Sequence, residues 1–304
     1  MESASHSGWT MSGVNLVLAV VGVLGVSASG PLMAATDAPA LAIAFWRNAL
    51  GAAAVAPFAV LRPRAGLGSL SRWELVQTLS AGVMLAAHFA TWITALQLTS
   101  VASATAMVSL QAAFVVLIDR LGGNPVRRSV VTGLVVSLIG VVVVCGVDFS
   151  LSTEALSGDA LALAGGLFAA VYTVIGGSVR RSVPTTTYTS LCYGTCALVC
   201  LLVCLVGGLQ LSGFDGRTWA ALIGVTVCAQ LLGHSVFNYL LAVISPTVVS
   251  LVLLLEVPGA ALLAGVFLDQ TPPVGVYGGL LLIVAGLAIV VTTGPRPPLE
   301  APPD

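Results

Sequence analysis

The chain contains no lysine; its eleven basic residues are all arginine. Asp, Glu, Lys and Arg together make up only 8% of 304 residues, whereas a soluble globular protein carries about a quarter. So little charge leaves no hydrated surface for a soluble domain of ordinary size. With 58% hydrophobic residues the chain reads as an integral membrane protein. The net charge is −1 and no basic cluster is large, which excludes nucleic acid as a partner. There is no G-x-x-x-x-G-K-S/T loop, so the chain does not hydrolyse nucleotide by itself. H-E-x-x-H and G-x-S-x-G are also missing, so no enzyme, catalytic residue or cofactor is expected. The first dozen residues hold no Arg or Lys, and the first apolar run is long enough to stay in the membrane; no cleavable signal peptide is expected. Six cysteines lie inside apolar runs and form no disulfide framework. Four of them, Cys192, Cys196, Cys200 and Cys204, make an i, i+4 stripe. With no His or Asp nearby, the stripe reads as small apolar residues at a packing seam, and no metal is expected.

What the chain does have is apolar runs of membrane length. Ten are expected, near 14–34, 40–61, 76–96, 100–119, 129–147, 159–178, 186–208, 218–240, 245–268 and 273–293. With the N-terminus in the cytoplasm, the inner segments hold nine of the eleven arginines: Arg62, Arg64, Arg72, Arg120, Arg127, Arg128, Arg180, Arg181 and Arg296. The outer loops hold only Arg217, and Arg47 lies within a span. This bias predicts an all-α membrane protein of ten transmembrane helices with both termini cytoplasmic. The proline-rich end, 295–304, is expected to be a disordered cytoplasmic tail.

The two halves resemble one another. At a shift of 145, Ser100 falls on Ser245 and Gln111 on Glu256; at 146, Gly133 and Gly140 fall on Gly279 and Gly286, and His88 and Trp92 on His234 and Asn238. The expected units are therefore 1–150 and 151–294, five spans each. An odd number of spans inserts the second copy upside down, giving two inverted five-helix repeats with a site between them near mid-membrane. The paired glycines, seven residues apart in both halves, face one way on spans 5 and 10 and predict a close helix pair away from that site.

The ionisable or strongly polar groups expected inside spans are Arg47, His88, Gln111, His234, Asn238 and Glu256. At about 1.5 Å per helical residue, Arg47, His88, Gln111 and Glu256 lie about 10 to 18 Å from the outer ends of their spans, near enough in depth to share one cavity. Glu256 stands alone as an acid in its apolar run, and Pro258 follows two residues later. A buried acid is costly and usually functional, and a proline removes the amide that would bond the carbonyl of Leu254. Pro258 is therefore the expected hinge. The twin run, Thr99 to Gly123, has no proline, so charge and kink are expected in one half only. Arg47 and Glu256 are expected to be electrostatic partners, one from each half. Each residue has a plainer reading too. Arg47 can be a packing anchor, Glu256 a helix tie, and Gln111 and the histidines interhelical glue. For His234 the structural reading is preferred.

Four segments carry a family resemblance: FWRNALGA at Phe45 to Ala52, TSVASATAMVSL at Thr99 to Leu110, SPTVVSLVLLLEVP at Ser245 to Pro258 and GGLLLIVAG at Gly278 to Gly286. In order and at the repeat spacing, they make the chain resemble the EamA-type transporters of the drug/metabolite transporter superfamily. The chain departs from that pattern in three places. Val257 separates the acid from the proline, no proline stands at Ala112 or Ala113, and Asn124 and Asp269 with Gln270 replace the closing acids. The resemblance implies a multi-pass protein of the bacterial inner membrane that moves a small amphipathic or amino-acid-like metabolite by alternating access, as an exporter. In that reading Arg47, Trp46, His88, Trp92, Gln111, Asn238 and Glu256 bind substrate in a cavity lined by spans 2, 3, 4, 8 and 9. Arg47 meets a substrate carboxylate, and Glu256 with His88 couples protons. Its partners are the small-molecule substrate, the lipid bilayer and, compatibly, a second copy in a homodimer. A channel-like facilitator or a non-transporting membrane subunit is the alternative, and the scarcity of polar residues within spans argues against a channel.

Overall fold

The computed structural model describes residues 13–34, 36–61, 70–99, 101–145, 152–267 and 274–292. The expected tail, 295–304, lies outside the described residues. All regular structure among the described residues is helical. In chain order the helices are α1 (Gly13–Ser27), α2 (Ser29–Ala34), α3 (Ala40–Val60), α4 (Arg72–Leu98), α5 (Val101–Ser109), α6 (Gln111–Leu121), α7 (Arg128–Cys145), α8 (Thr153–Val179) and α9 (Thr185–Val206). Then come α10 (Gly216–Val225), a π-helix (Thr226–His234), α11 (Ser235–Leu240), α12 (Pro246–Leu253), α13 (Glu256–Phe267) and α14 (Val274–Thr292). Among the described residues, seven helical stretches are long and apolar enough to cross a membrane, and three shorter apolar helices coincide with the remaining expected runs.

The helix starts follow local chemistry. Ser71 caps α4 in a reciprocal capping box: its hydroxyl accepts from the Glu74 amide, and the Glu74 carboxylate accepts from the Ser71 amide at 2.8 Å. Ser152, Asp215 and Ser245 cap α8, α10 and α12 through their side-chain oxygens. Pro246 fills the first turn of α12, where no amide partner is needed.

Large apolar side chains face outward, among them Val14, Leu16, Val17 and Val20 of α1 and Leu198, Leu202 and Val203 of α9. This costs nothing against lipid tails. What faces inward is small. α8 buries Gly158, Gly165, Gly166, Gly176 and Gly177 along with several alanines and packs lengthwise on α4. Small residues let helix backbones meet, and van der Waals contact then supplies the association that the hydrophobic effect cannot supply in lipid. The cysteine stripe is such a seam. Cys192, Cys196 and Cys200 are buried in the main core with Tyr188, Tyr193 and Phe89.

α7 and α14 form the close pair that the spaced glycines predict. A methyl on Gly133 would collide with the Gly286 carbonyl, and one on Gly140 would come 2.7 Å from the Gly279 carbonyl. Residue numbers rise on one helix as they fall on the other, so the pair is antiparallel. Ser137 donates to the Ile283 carbonyl at 3.3 Å midway between these contacts.

Candidate functional site

Between these helices lies a cavity of about 540 Å³, counted out to its mouth. From the first half come Val26 and Ser29, at the α1–α2 junction, His88 and Trp92 of α4, and Val108, Ser109 and Gln111 at the α5–α6 junction. From the second half come His234, which ends the π-helix, and Ser250, Leu253, Leu254 and Glu256 around the α12–α13 junction.

The backbone is irregular wherever it meets this cavity, except in α4. α1 and α2 are interrupted at Ala28, and α5 and α6 at Leu110. There the Leu110 amide donates to the Met107 carbonyl, three residues back instead of four. α12 and α13 are interrupted at Leu254 and Leu255, whose amides likewise reach back three residues, to Leu251 and Val252. The carbonyl of Leu254, left without a partner by Pro258, takes the Val257 amide at 3.3 Å. Loosened backbone at membrane depth is tolerated where it lines a cavity, because exposure to lipid would leave its polar groups unpaired.

These junctions correct one expectation. The break is not confined to the second half: Gln111 opens α6 as Glu256 opens α13. Proline accounts for only one of the two. At the other, α8 presses in at Gly166, where an added methyl would come 2.8 Å from the Val108 carbonyl and 3.3 Å from the Gln111 amide. Glycine at 166 leaves room for the unwound turn.

Four of the expected site residues meet in the cavity: His88, Trp92, Gln111 and Glu256. His88 Nδ1 lies 3.0 Å from the Gly165 carbonyl. A carbonyl only accepts, so Nδ1 carries the proton and Nε2 is left as an acceptor. The His88 ring stacks on Trp92 at 5.7 Å, nearly parallel. Trp92 Nε1 is buried with no hydrogen-bond partner. Glu256 is half-buried and faces the cavity; among the described residues no group bonds its carboxylate.

His234, for which a structural role is expected, also lines the cavity. Its ring centre is 6.5 Å from that of His88 and meets Phe89 edge-on at 5.3 Å. The repeat thus brings its own equivalents together, His88 with His234 and Gln111 with Glu256, in one wall. The equivalence was visible in the sequence. The π-helix, which adds a residue to each turn and so rotates His234 relative to a regular helix, was not.

Arg47, Trp46 and Asn238 lie elsewhere. Arg47 is fully buried but does not line the cavity. Its Nε donates to Gln230 Oε1 at 2.8 Å and its Nη1 to Ser29 Oγ at 3.4 Å, while the guanidinium carbon sits 4.1 Å above the Phe89 ring. Gln230 in turn donates to Asn48 Oδ1 at 2.9 Å. No salt bridge joins Arg47 to Glu256 among the described residues; the guanidinium finds its hydrogen-bond acceptors behind the wall, and the expected electrostatic partnership acts through space, without contact. Gln230, Asn48 and Ser29 were missed as polar partners, though a glutamine in the eighth apolar run and an asparagine beside Arg47 were signals enough. Span 2 accordingly gives way to span 1 in the lining.

Trp46, about 100° around the helix from Arg47, donates its indole N–H to the Leu211 carbonyl at 2.8 Å and meets Trp219 edge-on. It belongs to an aromatic cluster at the end of α3, not to the cavity. Asn238 spends its amide on Tyr172 and Thr189, and its carbonyl accepts from Arg180 Nε at 2.9 Å. It ties α11 to α8 and α9.

Comparison with known proteins places this architecture. The sequence model described as the EamA-like transporter family matches residues 13–146 and again residues 156–292. The chain belongs to the EamA-like transporter family. It is a multi-pass membrane transporter. A relative from Archaeoglobus fulgidus, described as an uncharacterized transporter, is 24% identical over 249 residues, which cover 81% of this chain and 85% of the relative. A solved crystal structure superposes with a TM-score of 0.77 at 20% identity, over 93% of this chain and 98% of the other. That likeness establishes the fold alone.

Proposed function

We propose that this family member is a secondary transporter that moves a small amphipathic metabolite by alternating access, in the direction of export from a bacterial cytoplasm across the inner membrane. The observation that carries the reading is the cavity itself. Two interrupted helices, one from each half, present Gln111 and Glu256 to one cavity, beside two histidines related by the same repeat. In this reading ten spans form two inverted five-helix repeats with both termini in the cytoplasm. Two independent findings support the inversion. The family model matches each half separately. The α7–α14 contacts are also reciprocal: Gly133 faces Gly286 while their repeat equivalents, Gly279 and Gly140, face each other, and Ser137 bonds its own equivalent, Ile283. Such self-complementary contacts are what a two-fold relation produces.

Alternating access needs contacts at each end that can be exchanged. At one end Thr247 of α12 donates to Asp119 of α6 at 2.8 Å. At the other, Thr99 and Ser103 donate to Asp159 of α8 at 2.9 and 2.7 Å. Both join the two halves, one through a single hydroxyl–carboxylate bond and the other through two, each of the kind worth about 1 to 3 kcal/mol. His88, Trp92, Gln111, Glu256 and His234 bind substrate, and Glu256 with His88 carries the coupling proton. Pro258 supports the hinge at Leu254 and Leu255.

The test is reconstitution of the purified chain in proteoliposomes loaded with a labelled metabolite pool. Saturable exchange that disappears in Glu256→Gln, with folding intact, is the expected result. Flux that ignores a pH gradient removes the proton-coupling part. Flux that never saturates replaces the transporter by a channel-like pathway.

A further inference from the structure

We propose that the cavity selects an organic cation with an apolar body, the cationic nitrogen held by Glu256; this names the substrate class for the transport reading above and rests on it. Among the residues lining the cavity, Glu256 is the single carboxylate, and no arginine or lysine is there to balance it. Arg47 does not line the cavity, and its charge acts on Glu256 only through space. Gln230, Ser29 and the face of Phe89 occupy it behind the wall, and it forms no salt bridge with Glu256 among the described residues. A ligand carboxylate would enter a chamber that offers it no exposed cation and sets its charge against Glu256. An ammonium would find the opposite.

The neutral groups point the same way. The side chains of Glu256, Gln111 and His234 make no hydrogen bond among the described residues, and His88 Nε2 is an acceptor because Nδ1 holds the proton. Ser109 and Ser250 donate their hydroxyl protons to carbonyls of their own helices, at 2.6 and 2.8 Å, and so turn lone pairs outward. The wall is rich in acceptors, which suits a nitrogen bearing N–H donors. Trp92, His88 and His234 supply an aromatic side for the apolar body and a π-face for the cation. Unpartnered donors remain as well, the Trp92 Nε1–H and the Gln111 amide among them; a hydroxyl or ether oxygen on the ligand body meets them. The family resemblance implied a substrate carboxylate on Arg47; Arg47 is not among the residues that line the cavity.

The experiment uses three probes with one body and different charge: 2-phenylethylamine, phenylacetate and 2-phenylethanol. Equilibrium dialysis against the full chain in detergent at neutral pH measures binding, and counterflow in proteoliposomes measures transport. Binding of the amine at least about tenfold tighter than the other two is expected, since a charge-assisted hydrogen bond discriminates by that much or more. Glu256→Gln is expected to erase the order, and Glu256→Asp to keep it in weakened form. Phenylacetate binding as well as the amine, an order unchanged in Glu256→Gln, or no saturable binding of any probe overturns the proposal. Amine binding without counterflow leaves the proposal standing and overturns the transport reading; counterflow that prefers phenylacetate does the reverse.

Discussion

Gln230 is the residue on which a buried charge depends, and replacing it by leucine tests how that charge is held. Arg47 is 0% exposed. Its Nε bond to Gln230 is short, its Nη1 bond to Ser29 is long, and Nη2 has no partner. In Gln230→Leu the guanidinium keeps the long bond to Ser29, a weak one to Met33 Sδ at 3.8 Å and the ring of Phe89. A lost hydrogen bond to a charged group costs about 1.5 to 3 kcal/mol. Asn48 Oδ1, also buried, loses its donor, which adds about 1 to 3 kcal/mol. The sum is about 2.5 to 6 kcal/mol, enough to unfold a marginal protein. Arg47→Met removes the charge along with the bond, so the double variant Arg47→Met/Gln230→Leu should be more stable than Gln230→Leu alone. Replacing both partners of a buried polar pair is far cheaper than stranding one of them. The assay is unfolding in mild detergent, followed by circular dichroism, for the wild type, both single variants and the double variant. A coupling of at least about 1.5 kcal/mol is expected from the bond strength. Additive effects, or a Gln230→Leu variant as stable as the wild type, would refute the view that Gln230 holds the charge.

Other expectations follow from single contacts. Gly286→Val should force α7 from α14, because even a methyl there would overlap Ser137 Oγ and the Gly133 carbonyl; loss of thermal stability by several degrees checks it, and an unchanged midpoint counts against the close pair. Nitrogen NMR of labelled histidine should show His88 protonated at Nδ1 and bare at Nε2, and the opposite tautomer would mean that the Gly165 contact is not a hydrogen bond. Hydrogen bonds from the Thr218 hydroxyl and amide hold the exposed carboxyl of Asp215 below its ordinary value of 3.8. A depressed pKa stabilises the fold above the unfolded value and ceases to do so as pH falls through the folded one. Stabilities of the wild type and Asp215→Ala should therefore differ at pH 7 and converge below about pH 4.

Much of this architecture was legible because lipid imposes strict terms. Apolar runs of fixed length, the arginine asymmetry and the seven-residue glycine spacing are one-dimensional signals, and the helices begin and end within a few residues of the expected runs. The site was only half legible. His88, Trp92, Gln111 and Glu256 could be named, since a polar group in an apolar run has few reasons to be there. Trp46 and Asn238 were drawn in by sequence proximity and repeat register, neither of which says whether a side chain already has a partner. The Leu110 break had no proline to announce it; it rests on Gly166 of another helix, 56 positions away, and no local pattern contains that fact.

The sequence by itself determined that this is a helical membrane protein of two similar halves, because hydrophobic length and repeat spacing depend on the chain alone. It also marked Glu256 and Leu254 as places where a charge and a lost amide had to be accommodated. Only the tertiary structure decided where the charges act. Whether Arg47 faces substrate or is spent on Gln230, and whether two histidines 146 positions apart share a wall, depends on which helices pack together. Hydrogen-bond partners in a membrane core are supplied across helices, so the free groups in the cavity are known only once every other group has found its match.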